Sequence, residues 1–264
     1  MTLTLFLGLL LGAVLGLSGA GGGILAVPSL VAGMGWSMQQ AAPVALIAVA
    51  GSAGLGALEG LRRGLVRYKA AILMACAGVP MTTLGQRLAA LTSQHTLRML
   101  FAIVMLFVAW RLLRTGKGQQ HDSIEAGFLS DLGRINPDTG RFTWTVPTAL
   151  MLAAIGATTG FTTGLLGVGG GFVMVPLLRR FTHLAMHGIV ATSLLVIALV
   201  GCGGVVSALL HGAQLPMEVT LAFSGATASG MVAGRLLARK LSARRVQIGF
   251  ACVLIAVAIS LPWL

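Results

Sequence analysis

Two glycine-rich stretches hold the groups in this chain best suited to binding a ligand. Gly16 to Pro28 is GLSGAGGGILAVP, and Gly164 to Pro176 is GLLGVGGGFVMVP. Both fit G-x-x-G-x-G-G-G-x-x-x-V-P, at a separation of 148 residues. Consecutive glycines leave backbone N–H groups bare and let a ligand come close to them. The first N–H groups of a helix have no internal partner and lie at the positive end of its dipole. Glycines at such an end form concave nests that suit an anion. Pro28 and Pro176 fit in or near the first turn of a following helix, where a missing N–H costs least. The candidate ligand groups are therefore Gly19, Gly21, Gly22 and Gly23 in one copy, and Gly167, Gly169, Gly170 and Gly171 in the other. The competing reading is close helix packing, which small residues serve in membranes; the pair Gly203 and Gly204 is assigned to it. A nucleotide-binding loop is excluded, because neither copy continues to G-K-[ST].

Other polar side chains are few. Thr192 and Ser193, in VATSLLVI, carry hydroxyls able to donate to an oxyanion or to bond the carbonyl four residues back. The first half has Val44 and Ala45 there, so any hydroxyl contact is one-sided. Thr82, Thr83, Ser224 and Thr227 are weaker candidates. Glu59 and Glu218 are the acids outside the polar stretch 116–142. A local ion pair with Arg62 or Arg63 and a helix-start charge explain them, so a proton relay within the membrane has no obvious carrier. Arg87 and Arg235 occupy equivalent positions and either draw anions toward the site or snorkel to the interface. Cys76, Cys202 and Cys252 lie in apolar runs without C-x-x-C spacing and are expected to be small packing residues. No metal ligand set, cofactor motif or nucleophile–base pair is present, which argues against an enzyme.

The elements that must position these groups are apolar. Of 264 residues 56% are hydrophobic and 9% charged, against about 25% charged in a soluble domain. Such a chain cannot cover itself with a wetted surface. Its apolar runs, near 20 residues long, indicate membrane helices rather than barrel strands. The net charge of +12 sits at the ends of these runs, as cytoplasmic loops require, and no aromatic-rich basic stretch suggests nucleic acid. Met1 to Ala20 lacks a basic start and ends in the repeated motif, so it is expected to be structure rather than a cleaved signal. Leu3 to Leu17 gives only about 22 Å of helix, less than the ~30 Å hydrocarbon core. Each glycine segment is therefore either one broken crossing or a re-entrant hairpin. Full spans follow near 41–57, 69–90 and 96–113, and again near 189–210, 216–238 and 246–264. One repeat occupies residues 1–115, a polar linker 116–142, and a second repeat 143–264.

Charge separates the two models. With one crossing per glycine segment, the 18 Lys and Arg residues divide nine and nine. With hairpins, 16 lie on one side, and only Arg87 and Arg98 on the other. The positive-inside rule selects the hairpins. The expected fold is an all-α polytopic membrane protein of two inverted repeats. Each repeat is a glycine-broken re-entrant helical hairpin plus three transmembrane helices. The linker is cytoplasmic and both termini face outside. Interrupted short segments at matching places in two halves mark a transporter binding site.

At these residues the chain resembles the TauE/SafE sulfite exporter family of bacterial inner-membrane permeases. The resemblance rests on the doubled glycine motif, the VATSL run from Val190 to Leu194, and the GQRLA and AGRLLA runs around Arg87 and Arg235. It covers nearly the whole chain apart from the linker. The first half departs from it with Pro43-Val44-Ala45 in place of a Thr-Ser pair, which weakens the case for a symmetric hydroxyl site. The resemblance implies outward transport of sulfite, sulfoacetate or other organosulfonates, with the bilayer and a small anion as partners. An importer or channel for another small anion is the alternative, and a membrane enzyme or scaffold stands further off.

Overall fold

The computed structural model describes residues 2–115, 145–182, 184–213, 215–238 and 243–263, so the linker 116–142 lies outside the described residues. The first half contains α1 (Thr2–Ser18), a 3-10 segment (Gly19–Leu25), α2 (Ala26–Met34), α3 (Met38–Arg62), α4 (Tyr68–Leu91) and α5 (Gln94–Thr115). The second contains α6 (Val146–Leu166), α7 (Gly171–Phe181), α8 (Met186–Leu210), α9 (Met217–Ala238) and α10 (Ala243–Ser260). No strand occurs among the described residues. Local chemistry sets several boundaries. Ser37 and Gln40 close a capping box at the start of α3. Thr145 caps α6, with Pro147 in its first turn.

Helices α3, α6 and α8, and α5 over Gln94–Arg114, are long and apolar enough to cross a membrane. The surface between the helix ends is greasy. Phe6, Ile103, Phe107, Leu150, Leu221 and Leu236 all stand exposed. A surface of that kind is matched to lipid rather than water. Cys76, Cys202 and Cys252 are also exposed and unpaired. This corrects their expected role as packing residues: an apolar run has a lipid side as well as a core side, and all three fall on the former.

Glycine stripes hold the bundle together. Gly8, Gly12 and Gly16 of α1 lie against Phe223, Thr227 and Met231 of α9; Gly156, Gly160 and Gly164 of α6 lie against Met74, Gly78 and Thr82 of α4. At each of these six a Cβ would run into the partner's backbone. With no hydrophobic drive between helices in lipid, such close approach supplies the association. The pairing is crossed: the first helix of each half lies parallel to the fourth helix of the other. Between them α3 and α8 cross antiparallel, with Gly60 on Ala191, Gly56 on Leu194 and Gly201 on Ala50. Gly203 and Gly204 pack on Val79 and Thr82, as expected.

Both glycine segments fold back. Gly33 abuts Leu7 and Met34 lies beside Thr4, so α2 returns along α1. Gly170 abuts Thr159 and Thr163, while Leu178 joins Leu152 and Ile155 in one core cluster, so α7 returns along α6. The basic helix ends consequently collect at one end of the bundle. Glu59 pairs with both Arg63 and Arg235 there, and Arg63 and Arg67 share a cavity wall with His187. The other end holds the start of α3 against the end of α4, where Gln39 donates to the Ala89 carbonyl, near Arg87.

Candidate functional site

The two glycine tips meet against the central crossing of α3 and α8. Gly23 lies against the Val168 carbonyl and Val49, and Gly169 lies against Val49 and Ile197. Gly19 sits on Val190 and its equivalent Gly167 on Ala42, which are themselves equivalent positions. Both take left-handed φ, +74° and +71°, a conformation glycine adopts without a Cβ penalty. Gly22, Gly23, Val168, Gly169, Gly170 and Gly171 are all buried. The structure thus brings the two predicted glycine sets into one place, with Gly21 inside the first tip, between Gly19 and Gly22 in sequence. Two cavities, of about 520 and 260 Å³, lie elsewhere, and none of these glycines lines them. The tips are packed shut in this conformation.

The tips differ in backbone. The first winds into 3-10 turns from Gly19 to Leu25, which engage N–H groups in i→i+3 bonds. The second is an open loop, left-handed at Gly167, Gly169 and Gly170, that ends at the start of α7. Val173 and Met174 both donate to the Gly170 carbonyl. The N–H groups of Gly171 and Phe172 precede that bond and have no intrahelical acceptor. The donor-rich end is therefore in the second half.

The two predicted hydroxyls separate. Thr192 Oγ1 accepts from the Arg67 N–H at 3.1 Å, fixing the turn between α3 and α4. Ser193 is fully buried, with an Oγ that has no partner. It shares a helix face with Val190 and Ile197, the residues that touch the two tips. Thr82 and Thr227 bond back to Gly78 and Phe223, and Thr82 also donates to the Gly160 carbonyl of α6. These serve helix packing.

Sequence reasoning missed Thr159 and Thr163 of α6. Thr163 donates to the Thr159 carbonyl, but Thr159 Oγ1 is buried without a partner beside Gly170. The first half has Leu11 and Leu15 at these positions, and Gly22 rests on Leu15 as Gly170 rests on Thr163. The available signal was the i, i+4 spacing of these threonines, one helical turn apart and just upstream of the glycines. Buried hydroxyls without partners are costly unless something else bonds them. Ser193 and Thr159 place two such groups around the tips.

Residues 4–261 match the family model "Sulfite exporter TauE/SafE". A "Probable membrane transporter protein" of Xylella fastidiosa strain 9a5c is 28% identical over 274 residues, covering 100% of this chain and 95% of the relative. "Probable membrane transporter protein YunE" of Bacillus subtilis strain 168 is 26% identical, covering 95% of this chain and 93% of its own length. No solved structure matches the chain.

Proposed function

The chain belongs to the TauE/SafE sulfite exporter family, and from that premise we propose that this membrane transporter is a secondary carrier moving small sulfur-containing anions outward. Sulfite, sulfoacetate and other organosulfonates are the substrates in view. The observation that carries the reading is the meeting of two glycine tips on the α3–α8 crossing. The antiparallel run of α3 against its counterpart α8 fits two repeats inverted across a bilayer. In that arrangement one hairpin enters from each side, and rocking of the halves exposes the shared centre alternately. The donors at the start of α7, with the unpartnered hydroxyls of Ser193 and Thr159, suit an oxyanion better than a cation.

On this reading the protein lies in the bacterial inner membrane. The basic end and the linker face the cytoplasm, and both termini lie in the periplasm. The test is flux of sulfite and sulfoacetate into proteoliposomes, with Gly22→Val and Gly170→Val alongside. Saturable, gradient-coupled flux lost in both variants is expected. Non-saturable flux points to a channel, and normal transport by both variants removes the tips from the site.

A further inference from the structure

We propose that Glu59 is a tethered anion occupying a second oxyanion site, at the basic end of the bundle. Its two carboxylate oxygens are divided between two guanidinium groups: Oε1 lies 2.5 Å from Arg63 and Oε2 2.6 Å from Arg235. Arg235 comes from α9 of the other half, 176 residues away in sequence. Two converging guanidiniums form a cradle for any planar or tetrahedral oxyanion, since each presents paired N–H donors at fixed angles. A carboxylate resembles a sulfonate or hydrogensulfite in charge, and all of these present closely spaced oxygen acceptors.

The place of the cradle gives it a transport role. Arg63 also lines the open cavity of about 520 Å³ whose wall includes Arg67 and His187, so one arm of the cradle belongs to the rim of a basic vestibule. The inner one reaches into the bundle. A Cβ at Gly56 would lie 2.6 Å from Arg235 Nη2, and the Arg235 backbone N lies against Gly16, one turn before the first glycine tip. The cradle therefore stands between vestibule and tip. Among the described residues the opposite end of the bundle lacks the device. Ser207 replaces Glu59 in the repeat, Arg87 is exposed, and Gln86 instead donates to the Gly204 carbonyl at 2.8 Å. The basic residues gathered at this end are enough to place a structural tie here alone; a plug that an arriving anion must displace is one-sided as well, with the vestibule on the loading side, and the titration below separates the two. The cradle is thus a gate site for small oxyanions, and Glu59 holds it until substrate competes.

This inference rests on the anion-transport reading. Its test is calorimetric titration of the purified full-length protein with sulfite and with methanesulfonate. A cradle left free by Glu59 for about a tenth of the time hides about tenfold of its affinity. Glu59→Gln, and Glu59→Ser copying Ser207, should each bind both anions about tenfold more tightly than wild type, and Arg235→Gln added to either should cancel the gain. If neither Glu59 variant binds more tightly while the wild type binds and transports, Glu59 is a structural tie and the inference is overturned, with the transport reading intact. If no form binds or moves either anion, the transport reading falls first and takes the gate site with it.

Discussion

Replacing Gly170 by alanine separates two costs that the structure assigns to one tip residue. Its φ is +59°, and a side chain in the left-handed region costs about 1–2 kcal/mol. A Cβ there would also lie 2.5 Å from Thr159 Cγ2, 2.6 Å from Thr163 Oγ1 and 2.7 Å from the Thr159 carbonyl. Two of those atoms belong to packed threonines and one to backbone, so overpacking adds about 1–3 kcal/mol. Gly35 supplies the control. It ends α2 at φ +67° with nothing within 4 Å of a Cβ, so Gly35→Ala bears the backbone cost alone. At roughly 2–4 °C per kcal/mol for a chain of this size, thermal melting should place Gly170→Ala at least ~2 °C below Gly35→Ala. Thr159→Ser, which removes the closest methyl, should restore part of that gap in the double variant. Transport should fail in Gly170→Ala and persist in Gly35→Ala. Equal melting of the two alanine variants would refute the packed geometry of the second tip.

Three further outcomes follow from particular contacts. Gly160→Val should destabilise the α4–α6 pair by about 3 kcal/mol or more, because its Cβ enters the Gly78 backbone; melting near wild type would remove the glycine stripe as the source of association. Ser193→Ala should raise KM for sulfite several-fold in proteoliposomes while melting of the substrate-free protein holds or rises, since its buried Oγ has no protein partner to lose; an unchanged KM would place the hydroxyl outside the site. Thr192→Val should lose the acceptor for the Arg67 N–H, worth about 1 kcal/mol, and speed amide exchange at Arg67 without shifting KM. A shift in KM with unchanged exchange would return Thr192 to the substrate.

What the sequence made legible was what the two halves share. The doubled motif located both tips, and the imbalance of Lys and Arg chose hairpins, because a loop's charge reports which end of the bundle it occupies. Both inferences depend on local pattern. The structure added what depends on partners distant in sequence. Glu59 looked like a neighbour of Arg62 and Arg63, yet one of its oxygens binds an arginine from the other half. Hydroxyls on α8 looked paired in role, yet a rotation of about 100° per residue sends Thr192 to a turn and Ser193 to the tips. Thr159 and Thr163 stand in the helix before the motif, and only the fold-back of α7 makes them neighbours of Gly170.

The differences between the halves bear most directly on mechanism. Gly16 to Leu25 and Gly164 to Val173 are copies, yet one is wound into 3-10 turns and the other is an open loop before a helix. Side chains around them differ as well. Leucines at 11 and 15 line the first tip, whose backbone winds into 3-10 turns; threonines at 159 and 163 stand at the same places beside the second tip without bonding its backbone. The same one-sidedness appears at Glu59 against Ser207 and at Ser193 against Ala45. If the halves exchange conformations during transport, the shared glycines permit both backbones, and the unshared side chains set which is preferred. The repeat then supplies the motion, while the residues that break the repeat supply the chemistry and its direction.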